Sequence, residues 1–493
     1  MENTSNNVER QNRDESRWDW SWAKLALGGL GAAAVVTGGV LAARAVQRQR
    51  TASNRSESTD GSLDDDNDSA SSVVTVGSQL LSMFLDSTRV FQESDLPPPS
   101  LSNLDSLLAD VYRRHVALKD SDFDAYYAVY CDVFAELQEK MKAVDPYYAQ
   151  YSSRKQFAGS HFDGLRIGRP DEFDVDIVIR IPLCHEQAPQ PADSDLVVEP
   201  SEPGHVRLRG GRQYSALPFR DNWPVNRIAY GWRDDEGYLL RTKFTDWFKS
   251  VVARALNELP TSCGRPTVVV RGQTYYLKTR ESGPACTLIV QRNDGFRLDV
   301  DLVPALKFSE ARWPPSPDYR DIPLGSRAVD WMVVPKPVRG AGQLESARTW
   351  RVALHPQEKR LIYNHQRLRQ IIRLMKKLRD AQQMNEIASY YIKTLFLWES
   401  AQRDSPAFWN QNESTIFKVM VQKLYEAVRD RRIPYFWNAE NNLIGHVHPQ
   451  VLRGYEVKLQ KLVELLQEPR VPLDKVAQFL LTGDEYNAYK KFF

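Results

Sequence analysis

The chain has 493 residues, 42% of them apolar and 12 of them tryptophan, which supports two or three domains with a large core and excludes a wholly disordered protein. Its formal net charge is only +2, so attraction to nucleic acid is not built into the whole chain and any such binding must use local basic patches. The cysteines Cys131, Cys184, Cys263 and Cys286 are scattered, without metal-ligand or redox spacing, which fits a reducing compartment.

Residues 1–24 form a tail that contains Trp18, Trp20 and Trp22. The following stretch, Leu25 to Ala43, carries no charge. As a helix it would span roughly 28 Å, close to one bilayer core. With the tryptophans before it and Arg44, Arg48 and Arg50 after it, the pattern predicts a single-pass membrane anchor over 25–45, with the catalytic part facing the cytosol. Two alternatives are a cleaved signal peptide, suggested by Ala43-Arg44-Ala45, and a soluble Ala/Gly helix. Residues 46–99 read as a solvated, disordered linker rich in Ser, Asp and Asn, with a short amphipathic run at Leu80 to Phe91 and a breaker at Pro97-Pro98-Pro99.

Ordered structure is expected from Ser100. Phe123, Tyr126, Tyr130, Val133, Phe134, Leu137 and Met141 recur at helical spacing and predict one long amphipathic helix ending before Pro146. Over Glu172 to Ile179, acidic and apolar residues alternate with period two, which predicts a strand. Residues 185–205 read as an exposed loop and Thr245 to Leu256 as a helix. Strands are expected at Val268 to Val270, Tyr275 to Leu277, Thr287 to Val290 and Arg297 to Val303. Beyond Pro335 the spacing turns helical over Leu361 to Leu378, Asn385 to Trp398, Thr415 to Val428 and Val451 to Leu466. The expectation is a two-lobed α+β protein: a mixed-sheet lobe over 100–335 and an all-helical lobe over 336–493, with the active site between them.

Three features combine into a candidate site. Gly159-Ser160 follows Phe157-Ala158, Glu172-Phe173-Asp174 comes shortly after, and Leu298-Asp299-Val300-Asp301-Leu302 forms a second acid-bearing strand. Side chains two apart on a strand share a face, so Glu172 and Asp174 point together and Asp301 joins them from a neighbouring strand. Converging carboxylates repel and call for cations, and hard oxygen ligands suit two Mg²⁺ or Mn²⁺ ions that clamp a phosphoryl displacement. Gly159 would permit a close backbone approach and Ser160 would offer a hydroxyl to a triphosphate. Alone, each part is more often an ordinary strand or turn. The residues also leave the register open: Asp174/Asp176 could be the pair, and Asp299 could replace Asp301.

With these residues in place, the chain from about 105 to 470 resembles the cyclic GMP-AMP synthase-like receptors within the wider male-abnormal nucleotidyltransferase family. The similar segments are Gly159-Ser160, Pro170 to Val175, Ser282-Gly283-Pro284-Ala285, Asp299 to Leu302, Thr349-Trp350-Arg351, Arg373 to Lys376 and Ser389 to Thr394. The resemblance places the metal carboxylates on Glu172, Asp174 and Asp301. It implies that Lys376, Ser389, Tyr390 and Lys393 meet the donor nucleotide, Tyr390 by stacking, and that Arg351 and Glu358 meet the acceptor. Read from spacing alone, Lys376 is a solvated helix position and Tyr390 a core aromatic. The His and Cys zinc loop of the vertebrate DNA-sensing synthase is missing after His365, so no zinc is expected.

The function this implies is ligand-activated synthesis of a cyclic dinucleotide from nucleoside triphosphates such as ATP and GTP, in innate immunity, with ligand-dependent dimerisation open. Double-stranded RNA is the expected activator, since its shape can be read by a flat basic surface, and Arg113, Arg114, Arg265 and Arg271 are candidate contacts. The rival is a membrane-anchored, non-catalytic adaptor like the mitochondrial dynamics proteins, which share the fold but lack the carboxylates kept here.

Overall fold

A computed structural model of the chain describes residues 98–117, 120–182, 196–282, 285–328, 330–338, 340–363, 365–403 and 406–493. The expected anchor at 25–45, the tail before it and nearly all of the linker lie outside the described residues. Among those that are described, no helix is long and apolar enough to cross a membrane.

Helix α1 (Leu104–His115) starts at a capping box in which Asn103 accepts from the Ser106 amide and the Ser106 hydroxyl group reaches back. Helix α2 (Asp120–Val144) is the long amphipathic helix, and it buries Val129, Tyr130, Val133, Phe134, Leu137 and Met141. It ends at Asp145, whose carboxylate accepts from the Tyr148 amide to start the next turn and is held by Arg254 at 2.7 Å.

The strands β1 (Ser152–Ala158), β2 (Glu172–Ile179), β3 (Leu196–Pro200), β4 (His205–Gly210), β5 (Thr261–Ser262), β6 (Arg265–Val270), β7 (Gln273–Ser282), β8 (Ala285–Gln291), β9 (Arg297–Ser309), β10 (Asp330–Val334) and β11 (Thr349–Ala353) form one mixed sheet. Strand β9 is its spine. It pairs antiparallel with β8 and β10, parallel with β2, and β2 in turn pairs antiparallel with β1. One face of β2 and β9, carrying Phe173, Val175, Ile177, Val300 and Leu302, joins the main core. The other face carries the acidic residues and a second cluster of mostly small side chains: Ala158, Val178, Ala285, Val303, Ala305, Met332, Val334 and Ala353. Side-chain alternation makes these two faces unavoidable once the strands pair.

Between β1 and β2 sits the one-turn helix α3 (Gly159–Phe162). Helix α4 (Arg241–Asn257) covers the core face together with α2. The helical lobe contains α5 (His355–Tyr363), α6 (Gln366–Ala381), α7 (Ser389–Gln402), α8 (Glu413–Arg429), α9 (Pro449–Gln467) and α10 (Leu473–Leu480), with a hairpin of β12 (Pro434–Tyr435) and β13 (Asn438–Asn442) between α8 and α9.

The structure departs from the sequence reading in four places. The expected loop 185–205 contains β3, whose Leu196 is buried and whose Glu199 is paired with Arg209 across the hairpin; the acidic and proline content masked this strand. The expected helix 361–378 falls on two helices, α5 ending at Tyr363 and α6 beginning at Gln366. The sheet runs past 335, because β11 inserts between β10 and β4. Helix α1, expected in the sheet lobe, packs instead on α6, α8 and α10.

Candidate active site

In the parallel pairing of β2 with β9, Asp174 lies opposite Asp301 and Glu172 opposite Asp299. Glu172, Asp174 and Asp301 each bring a carboxylate oxygen within 4.8 Å of the other two. Asp301 accepts a 2.6 Å hydrogen bond from the buried Thr287 hydroxyl, which sits opposite it on β8. That contact fixes one carboxylate oxygen and with it the direction of the other.

Local partners and burial keep the neighbouring acids out of the cluster. Asp299 shares the face but its two oxygens accept from Arg297 at 2.8 and 2.9 Å. Asp176 shares the face too, but it is 0% exposed and lies 3.4 Å from the equally buried His355. Burial pushes the Asp176 carboxyl well above its ordinary range and pushes His355 down to about 3, so neither presents a charge to a cation at neutral pH.

Gly159 closes the cluster from the β1 side. Its φ is +90°, and a Cβ there would fall 2.0 Å from an Asp174 carboxylate oxygen. Only glycine allows the backbone this close to a metal-type carboxylate. Ser160 follows at the start of α3 and is buried.

Cations of the helical lobe converge on the residues just beyond α3. Lys393 bonds Asp163 at 2.9 Å, Arg373 donates to the Gly164 carbonyl at 2.6 Å, and Lys376 donates to the Leu165 carbonyl at 2.6 Å. Lys376 is 5% exposed, so it does not occupy a solvated helix position. Lys393 is fully buried and also reaches Glu358 at 3.2 Å. Glu358 accepts from the Tyr390 hydroxyl and the Trp437 indole, each at 2.9 Å. Desolvation holds the Glu358 and Asp163 carboxyls above their ordinary range, and the Lys393 charge offsets part of that rise. Tyr390, 1% exposed, is packed as a core aromatic against this network, and Ser389 accepts from Arg379 at 2.8 Å. The geometry thus brings Lys376 and Lys393 to the residues that follow α3, Leu165 and Asp163, while Glu358, Lys393 and Tyr390 bind one another.

Arg351 lies farther across the sheet. It pairs in register with Val334 on β10 and His205 on β4 and lines a cavity of about 350 Å³ with His205, Lys336, Tyr390, Tyr435 and Asn441. Strand alternation puts Val334 and Ala305 on the carboxylate face, so Arg351 faces the same side as Asp301. Burial, aided by Arg351, depresses His205 to about 3. Sequence reasoning missed Thr287, Asp163, His205 and Lys336, because only the strand register and the lobe contact assign them to the site.

The candidate nucleic-acid residues are not brought together. Arg113 and Arg114 on α1 both pair with the buried Asp110, at 2.7 and 2.9 Å. Arg265 and Arg271 sit on the outer β6–β7 hairpin, both exposed, with Arg265 stacked 4.0 Å over Tyr276.

The Mab-21 protein nucleotidyltransferase domain matches residues 161–364, and the Mab-21 protein HhH/H2TH-like domain matches residues 367–461. A cyclic GMP-AMP synthase-like receptor of Tribolium castaneum is 32% identical over 396 residues, which covers 78% of this chain and 94% of that protein. The chain belongs to the Mab-21 nucleotidyltransferase family. A receptor of the same description from Ctenocephalides felis is 30% identical over 400 residues, covering 79% of this chain and 90% of that protein. Cyclic GMP-AMP synthase-like receptor 1 of Drosophila melanogaster is 27% identical over 353 residues, covering 70% and 87%. The two Mab-21 matches meet at the α5–α6 break. For a nucleotidyltransferase, an all-carboxylate cluster on a sheet face is the donor set that hard divalent cations take.

Proposed function

We propose that the chain is a nucleotide second-messenger synthase that joins two nucleoside triphosphates into a cyclic dinucleotide, with double-stranded RNA as its activator. The observation that carries the catalytic part is the convergence of Glu172, Asp174 and Asp301 within 4.8 Å, with Gly159 leaving room beside Asp174. Glu172, Asp174 and Asp301 would hold Mg²⁺ or Mn²⁺, and such ions supply charge neutralisation to the attacking oxygen and the departing phosphate. In each of two rounds a ribose hydroxyl attacks an α-phosphorus, a P–O bond forms, and pyrophosphate leaves. The chain's own part is to place the groups. Thr287 aims Asp301, Gly159-Ser160 opens the backbone toward a triphosphate, and Arg373 and Lys376 bring positive charge to Gly164 and Leu165 just beyond that turn. Arg351, at the cavity shared with Tyr390, would orient the second nucleotide.

Support for an RNA activator is narrower: Arg265 and Arg271 are exposed basic positions on one hairpin, whereas Arg113 and Arg114 are engaged with Asp110. The single-pass anchor over 25–45 belongs to the same reading and rests on the length and flanks of that stretch. The test is to incubate the purified full chain with radiolabelled triphosphates, Mn²⁺ and long RNA or DNA duplexes. A nuclease-resistant cyclic product that appears with RNA supports the reading. Linear products would refute the cyclic dinucleotide, and stimulation by DNA alone would refute the activator. No product under any condition would return the adaptor reading.

A further inference from the structure

The loop between α3 and β2 carries an arginine that touches the metal cluster. Arg166 Nη1 lies 3.1 Å from Glu172 Oε2, its Nη2 lies 2.8 Å from Asp171 Oδ1, and its Nε donates to the Arg169 carbonyl at 3.2 Å. The Arg166 side chain is only 13% exposed, so this is a seated guanidinium and not a surface charge. We propose that Arg166 is the resident counter-cation of the carboxylate cluster: it holds Glu172 in place before divalent ions bind and competes with them for that carboxylate.

The charge argument is direct. Three carboxylates whose oxygens lie within 4.8 Å of one another favour any cation that can reach them. A guanidinium on Glu172 meets part of that demand and keeps the ligand preformed. The same fixed positive charge repels a divalent ion at the adjoining oxygens, so its presence weakens metal binding. Arg166 is a positioning residue in this scheme, acting through Glu172.

The loop that delivers Arg166 is held from the other lobe. Its first three residues, Asp163, Gly164 and Leu165, are gripped by Lys393, Arg373 and Lys376. Gly164 has φ +67°, and a Cβ there would come within 3.1 Å of the Arg369 guanidinium, so the loop lies against a dense cationic surface. For Arg373 and Lys376, triphosphate oxygens are stronger acceptors than the backbone carbonyls they now hold. An incoming triphosphate therefore competes for the groups that tether the loop, and loosening the loop frees Glu172. Full metal affinity then comes with substrate.

This inference rests on the two-metal reading, and its test separates the two. Mn²⁺ binding to the full chain without nucleotide is measured by electron paramagnetic resonance for the parent, Arg166→Gln, Arg166→Lys and Asp301→Asn. Gln keeps a hydrogen-bond donor but removes the charge, and it should bind Mn²⁺ about tenfold more tightly, the size expected for one nearby unit charge in a water-like dielectric. Lys keeps the charge and should stay within about threefold of the parent. Unchanged or weaker Mn²⁺ binding in Arg166→Gln, with Asp301→Asn still losing the ion, overturns the counter-cation role alone. Equal Mn²⁺ binding by the parent and Asp301→Asn overturns the metal site and this inference with it.

Discussion

Two acidic regions of the molecule use the same side chains in opposite ways. On the sheet, Glu172, Asp174 and Asp301 are gathered against one another. At the lobe junction, Asp163 and Glu358 are gathered against Lys393, which is fully buried between them. The junction carries its cation in the chain, so its charges bind lobe to lobe and serve structure. The sheet cluster gathers three carboxylates, with Arg166 seated on Glu172, and concentrates negative charge that an external cation can relieve, so it serves chemistry. A buried carboxylate is therefore read by what faces it, and burial alone does not separate the two kinds.

That contrast can be broken first at the sheet. Asp301→Asn or Asp174→Asn should lower nucleotidyl transfer by about a thousandfold or more while leaving the melting temperature unchanged or higher, since a repelling charge is lost. Activity within tenfold of the parent would mean that these acids are not the metal ligands. The junction should respond the other way round. Lys393→Met strands two buried carboxyls and should cost about 3–5 kcal/mol in urea unfolding. A loss below about 1 kcal/mol would show that Asp163 and Glu358 are already neutral without the lysine.

A milder probe sharpens the sheet side. Thr287→Val keeps the shape but removes the hydrogen bond to Asp301, and should weaken Mn²⁺ binding and activity by about tenfold to a hundredfold, the usual effect of losing a partner behind a metal ligand. No change in either would make Asp301 self-orienting.

The smallest effect concerns the cavity wall. His205 is held near 3 in the folded state, below the 6.5 it would have unfolded. Below about pH 6.5 the unfolded chain takes up a proton that the folded chain refuses, so stability is present above that pH and falls as pH drops. Between pH 7.5 and 5.5 this residue should contribute a loss of about 1 kcal/mol, measured by urea melts. His205→Gln should remove that part of the slope, and an unchanged slope would place the pH dependence elsewhere, with His355 the next residue to test.

Local patterns in the chain were enough for the long helix α2, the acid-bearing strands β2 and β9, the helical character of α6 to α9 and the grouping of the Gly159-Ser160 turn with the acids of these two strands as one site. These are local matters: periodicity of two or 3.6 sets which side chains share a face, and a glycine before an acidic strand marks a close approach. The sequence left open which acids of each strand are used. Only the parallel register of β2 against β9 placed Asp174 beside Asp301, while Arg297, two residues along the same strand, holds Asp299, and the packing of α5 seals Asp176 beside His355. The sequence also could not show that Lys376 is buried against a carbonyl, that Glu358, Tyr390 and Lys393 hold one another, or that Arg166 reaches Glu172. Those contacts join residues far apart in the chain or across a loop, and burial and charge partners are properties of the packed lobes, with no periodic trace in the chain that folds into them.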